Sequence, residues 1–218
     1  MRWKTFISYL VLLVLPFSAI WAGERDRSTS ENAARPYPRF TFGVESSYAL
    51  TFLNFSHFNF ISSDGSRRDE RAVSTSLFSN GQFLVHGGVN VSRNVNISIY
   101  TGYSGIYRGE RMVPVSLRFT WLSGTDPLKN RWMAFCSAGG GINDITDPWN
   151  LSAEGRIGGG YRFSLNRSVK LDVLLAFQEC YTHPRAYESD VGNYVPAERL
   201  RRNDAYISAV TIGLALTF

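Results

Sequence analysis

Histidine and cysteine are scarce in this chain, three of one and two of the other in 218 residues. Two cysteines exclude a disulfide-framework miniprotein and any cysteine-rich zinc fold. Three isolated histidines, His57, His86 and His183, offer little for a His-built metal site. Charged residues are only 19% of the chain while 44% is hydrophobic. That balance excludes a disordered chain, which needs the opposite. Helical stripes of useful length are missing, so a coiled-coil rod is excluded as well. Long apolar runs are missing too, apart from one at the N-terminus.

That run covers residues 6–21. It follows Arg2 and Lys4 and ends at Ala22-Gly23. Early cations, an apolar stretch and a small-residue cut site describe a secretory signal peptide, cleaved after Ala22. A retained anchor is the competing reading, but Pro16 interrupts the run and it falls short of the roughly 20 residues of a spanning helix. No cysteine follows, so lipoprotein anchoring is excluded. The expected organisation is a leader over 1–22, a polar linker over 23–38 with Pro36 and Pro38, and one domain over 39–218. Losing Arg2 and Lys4 lowers the net charge from +5 to +3. So small a balance gives no reason to expect a nucleic-acid partner.

Beyond the linker, apolar and polar residues alternate in segment after segment, the period of a strand with two unlike faces. Phe40, Phe42, Val44, Tyr48, Leu50 and Phe52 share one parity; Thr41, Glu45, Ser47 and Thr51 share the other. The same alternation runs through residues 83–91, 95–103, 113–121, 151–163, 169–177 and 206–218. An eighth segment, 131–142, is strand-like with an undecided phase: either Trp132, Ala134 and Cys136 or Met133 and Phe135 take the apolar side. Eight such strands predict an all-β fold, a closed antiparallel up-and-down barrel. Residues 93–94 and 166–167 mark tight turns. The longest connections, 56–76 and 182–204, both fall at the opposite end, with shorter ones at 105–111 and 143–150. Short turns at one end and long loops at the other mark a transmembrane barrel of the outer-membrane kind.

Alternation alone does not say which face meets solvent, and a soluble lipocalin-like barrel is the rival. The polar face carries Glu45, Arg118, Glu154, Arg156, Arg162, Lys170 and Asp172, nearly balanced in sign, as a narrow lumen filled by paired charges requires. Aromatics gather near strand ends on the apolar face, as interfacial girdles do: Phe40, Phe42, Tyr103, Trp121, Tyr161, Phe163, Tyr206 and Phe218. The expectation is therefore that the apolar face meets lipid.

The last strand, residues 206–218 with the terminal aromatic Phe218, looks like the carboxy-terminal signal of Gram-negative outer-membrane proteins. Segments 113–119 and 158–163 resemble the small outer-membrane β-barrel domain family common in Bacteroidetes. Its general shape is that of the eight-stranded OmpA-barrel and OmpX-like surface proteins. The resemblance is one of pattern over nearly the whole mature chain. It implies location in the outer membrane and recognition of Phe218 by the barrel-assembly machinery. It implies no shared catalytic residues.

Catalytic and cofactor chemistry is not evident. The triplets Gly139-Gly140-Gly141 and Gly158-Gly159-Gly160 sit inside strands, not at a strand-to-helix turn, so they do not cradle phosphate. His86 is expected to point into the lumen. His57 and His183 fall near the rim on the two long loops, the sole basis for a rival reading as a lipid-modifying or proteolytic enzyme. Cys136 and Cys180 lie on strands separated by a third, too far apart for a disulfide, and both are expected as small buried side chains. Arg67, Arg68, Arg71, Arg199, Arg201 and Arg202 lie in the long loops, where guanidinium groups suit the phosphates of lipopolysaccharide. The resulting expectation is a monomeric barrel without catalytic, cofactor or metal residues. Its charge-filled lumen is no general pore, and its long loops meet envelope lipid or an unidentified extracellular partner.

Overall fold

The computed structural model describes residues 38–218, except Ser76, Arg108, Gly109, Ile145 and Thr146. The leader and nearly all of the linker lie outside the described residues. Eleven strands follow in chain order: β1 (Phe40–Ile61), β2 (Arg67–Ser74), β3 (Phe78–Asn90), β4 (Val95–Tyr107), β5 (Glu110–Leu122), β6 (Arg131–Asp144), β7 (Asp147–Ser164), β8 (Lys170–Thr182), β9 (Tyr187–Glu188), β10 (Asn193–Tyr194) and β11 (Leu200–Thr217). The main sheet runs β11-β8-β7-β6-β5-β4-β3-β1-β2 and closes through β11 pairing with β1. All of its pairings are antiparallel. β1 pairs with β3 along its first half and with β2 along its second, so β2 and β3 are one interrupted stave. The barrel therefore has eight staves. Closure extends to the last residue: Phe218 and Phe42 exchange backbone hydrogen bonds of 2.8 and 3.2 Å, and their rings stack at 5.4 Å.

The two faces settle the question of solvent. Val115, Leu117, Val173 and Ile212 are 60, 55, 38 and 59% exposed, whereas Arg156 and Lys170 are 5 and 8% exposed. The apolar side chains form the outside of the wall and the charged ones fill the inside. Only a hydrocarbon surround makes that arrangement favourable, because an apolar outer wall in water forgoes hydrophobic stabilisation and buried charge is costly. The protein is a transmembrane β-barrel of the small outer-membrane kind.

Strand β6 takes the phase with Trp132, Ala134 and Cys136 outward and Met133 and Phe135 inward. One expectation is corrected here: Cys180 is buried, but Cys136 is exposed on the outer wall. The loops are corrected too. Segment 56–76 is mostly a β-hairpin, in which β1 runs on to Ile61, turns at residues 62–66 with Gly65 at φ +82°, and returns as β2. Segment 182–204 carries the small β9–β10 hairpin and a 3-10 turn at Ala197–Arg199. The connections expected at 105–111 and 143–150 are largely strand, since β4 and β5 reach Tyr107 and Glu110, and β6 and β7 reach Asp144 and Asp147. Bulges at Thr51/Leu53, Gly105/Tyr107 and Ile142/Asp144 shift the parity, so alternation is lost while pairing continues.

The glycine triplets have a packing cause that is strongest on the inner face. A Cβ at Gly139, Gly158 or Gly160 would run into the carbonyl oxygen of Val115, Leu175 or Val173 on the adjacent strand. These positions sit on the inner side of a tightly curved wall.

Candidate functional site

The lumen is filled in layers. Toward the turn end lies an apolar layer of Leu122, Met133, Phe135, Leu174, Ala176 and Ala215. Toward the loop end lies a second, of Ile106, Met112, Cys180 and Ile207. The expected charge network joins these walls. Arg118 grips both carboxylate oxygens of Glu45, at 2.6 and 3.3 Å. Arg156 reaches Glu45 at 3.7 Å and Glu154 at 3.2 Å, which links strands β1, β5 and β7 in one chain of charge. Arg162 and Asp172 form a second two-pronged pair, both bonds 2.7 Å. Fork-to-fork geometry of this kind is the strongest protein ion pairing. Lys170 stands apart from the carboxylates. Its ammonium donates to Ser164 Oγ and the Asn166 carbonyl at the turn end, 2.6 and 2.7 Å.

Several lumen residues were not singled out from the sequence. Tyr100 lies under the Arg118 guanidinium at 3.9 Å, with Phe135 at 4.4 Å from it. His86 stacks on Tyr100 at 4.7 Å, in the inward position expected for it. His86, Tyr100, Arg118 and Phe135 thus make a continuous stack. Gln82 donates to Ser104 at 3.1 Å and to Gln178 at 2.9 Å, a bridge across the lumen. Parity alone assigns Tyr100 and Gln178 to the inner face; their cross-lumen contacts depend on long-range register. The cavity beside His86, Arg118, Arg162 and Asp172 has room for about one water molecule.

At the loop end, the extended strands and the β9–β10 hairpin fold into one cap. On its inner side Phe60, Ala186 and Val195 cluster, with Phe58 and Leu200 packed against them. Glu188 is the clasp. It accepts hydrogen bonds from the Ser62 hydroxyl and from Ser63 N and Oγ, both 3.0 Å, tying β9 to the β1–β2 turn. Arg68 adds a 2.5 Å ion pair to Asp190. The Ser62 and Ser63 bonds hold the Glu188 carboxyl below the usual carboxylate range.

The outer side of the same extension carries a row of aromatics and, above it, a polar belt. Phe55 meets Tyr206, and Tyr206 meets Tyr181, at centroid distances of 6.4 and 4.9 Å. One register step above, His57 lies opposite Asp204 on one side and Arg71 on the other. His57 Nε2 is 2.6 Å from Asp69, and that hydrogen bond draws the Asp69 carboxyl below its ordinary value. Asp204 accepts from Tyr181 at 2.8 Å, is paired with Arg202, and has His183 Nδ1 at 3.5 Å. Burial opposes the ionisation of Asp204, but the Tyr181 and Arg202 bonds outweigh it and lower its pKa. His57 and His183 thus bind different aspartates. The belt faces outward on a convex wall, not into a cleft where a substrate would be enclosed.

The six loop arginines divide by face. Arg67, Arg71 and Arg202 lie on the outer side with His57, and Arg201 is exposed beside them. Arg68 turns inward to Asp190, and Arg199 stands 4.0 Å from Glu188.

Comparison with family models gives no match, and comparison with curated proteins gives none. Among solved structures, the outer membrane protein OprG of Pseudomonas aeruginosa aligns at 10% identity and a TM-score of 0.47, over 84% of this chain and 97% of that one. The N-terminal β-barrel domain of P. aeruginosa OprF aligns at 11% identity and 0.44, over 82% and 97%. The outer membrane protein AlkL aligns at 7% identity and 0.44, over 88% and 96%.

Proposed function

We propose that this is an integral outer-membrane protein, delivered by a cleaved leader over residues 1–22, that works at the cell surface through its folded cap and does not conduct solutes in bulk. The observation that carries this reading is the contrast between a closed lumen and a built cap. Two apolar layers and the Arg118–Glu45–Arg156–Glu154 chain occupy the bore. Both long connections instead fold against each other through Glu188, Arg68 and the Phe60 cluster. Ordering about twenty loop residues in each connection costs conformational entropy, roughly 1–2 kcal/mol per residue for the backbone. Backbone pairing in the β1–β2 hairpin, the Glu188 bonds and the Phe60 cluster offset that cost and hold the cap in one shape.

In this reading Arg67, Arg71, Arg201 and Arg202 meet the phosphates of lipopolysaccharide, since Arg67, Arg71 and Arg202 face outward above the aromatic row and Arg201 is exposed in the bulge next to Arg202. Arg68 and Arg199 serve the cap instead. Phe218 is the signal read by the assembly machinery, and the barrel acts as a monomer without cofactor. The test has two arms. Purified protein in planar bilayers should show no steady open-channel conductance. Replacing residues 62–66 and 187–194 by short glycine-serine turns should leave a heat-modifiable folded barrel and abolish surface binding of whole cells to host or envelope components. Large stable conductance, or surface binding unchanged by the deletions, would overturn the reading.

A further inference from the structure

One acid stands on the wrong face of the wall. Strand β8 directs Val173, Leu175, Phe177 and Tyr181 outward, and Glu179 falls in the same parity between Phe177 and Tyr181. Its carboxylate is hydrogen-bonded by Ser208, its register partner on β11, a buried residue of the outward parity. One hydroxyl satisfies a fraction of a carboxylate's acceptor capacity. Ionisable groups facing acyl chains are costly, and where they persist they mark a site with a partner.

The wall beside Glu179 is unusually low. Its register neighbour on β7 is Gly155, and the next on β6 is Ala138. Below them on the outer face lie Gly159, Cys136 and Ala134, with Ile157 the one larger side chain. Large residues close the sides: Leu117 and Phe119 on β5, Leu175 and Phe177 on β8. Three strand spacings make this trough about 14 Å wide. Gly155 is not small because packing demands it. A Cβ there would meet nothing nearer than the Ser137 carbonyl oxygen at 3.9 Å, unlike the inner glycines of the same strand.

We propose that Glu179 and the trough below it form a lateral binding site for an amphiphile of the outer leaflet that carries a primary amine in its head and acyl chains below. The polarity of the site matches such a molecule. Glu179 lies two residues, about 7 Å along the strand, below Tyr181 in the aromatic row, which is headgroup depth. The low apolar surface runs from it toward the membrane centre. An ammonium donates up to three hydrogen bonds, and a desolvated pair of opposite charges replaces an unpaired acid facing lipid tails. The site is independent of the phosphate contacts assigned to the loop arginines, which bear the opposite charge and lie above the girdle.

Native mass spectrometry of the folded full-length barrel from detergent micelles tests this. Phosphatidylethanolamine is the probe, with its N-acetyl derivative and phosphatidylcholine as controls. The wild type should retain the free-amine lipid several-fold more than either control. Glu179→Gln should erase that preference while the heat-modifiable gel shift shows a folded barrel. Gly155→Leu, which fills the trough without a backbone clash, should lower retention of all three lipids. A free-amine preference that survives Glu179→Gln, or none in the wild type, overturns the proposal. So does a wild-type dimer in analytical ultracentrifugation that Glu179→Gln dissociates without changing lipid retention, because the occupant is then a second copy of this chain.

Discussion

The trunk of the barrel and its cap use ion pairs in opposite ways. In the trunk, Glu45, Arg118 and Arg156 are almost fully buried and locked by two-pronged contacts and ring stacking. In the cap, Arg68 and Asp190 are 32 and 59% exposed at their side chains. A buried charge that loses its partner remains in a medium that cannot solvate it, whereas an exposed one is taken up by water. The trunk charges therefore enforce the shape of the wall, and the cap charges adjust the position of loops that are already paired through backbone.

The greatest loss is expected from Glu45→Ala, which strands Arg118 and leaves Arg156 with Glu154 alone. Denaturant unfolding in lipid vesicles should show a loss of about 3–5 kcal/mol. Next is the outer wall itself. Ile212→Arg places a cation among acyl chains and should cost about 2–4 kcal/mol if it lies near the bilayer midplane, by the same unfolding assay. In the cap, Arg68→Ala should leave the unfolding midpoint unmoved and speed hydrogen exchange around residues 62–66 and 187–194. Acid should act on the same region. Glu188 and Asp69 are held below their ordinary values, so their contribution is present at neutral pH and lost as pH falls below the usual carboxylate range. Exchange protection of the cap is expected to decline in that window. The smallest effect is chemical: Cys136 should react with an apolar maleimide in vesicles and resist a charged thiol reagent, while Cys180 reacts with neither until unfolding.

The sequence was most legible where the two faces meet unlike surroundings. From Val113 to Trp121 every outward residue is apolar and most inward ones are polar, so strand and face follow together. Legibility ended where that contrast ended. Above the girdle both sides of β1 and β2 meet water or loop, and Arg67–Ser74 has no alternation to announce a strand. On β6 both parities are apolar or small, and the choice falls to Phe135 beneath Arg118, a contact with a residue on another strand. The split of the loop arginines likewise depends on the hairpin register that sets Arg67 and Arg71 outward and Arg68 inward. Glu179 was in plain view as one acid in an apolar parity, but its meaning needs Gly155 and Ala138 beside it.

The apolar face of this wall touches lipid tails. Nitroxide labels at Val115, Leu117, Val173 and Ile212, in a cysteine-free background folded into vesicles, measure it most directly by collision rates. Contact with acyl chains predicts high accessibility to oxygen and low accessibility to a water-soluble nickel chelate at all four positions. High nickel accessibility with low oxygen accessibility there would place those side chains in water and make the barrel a soluble one.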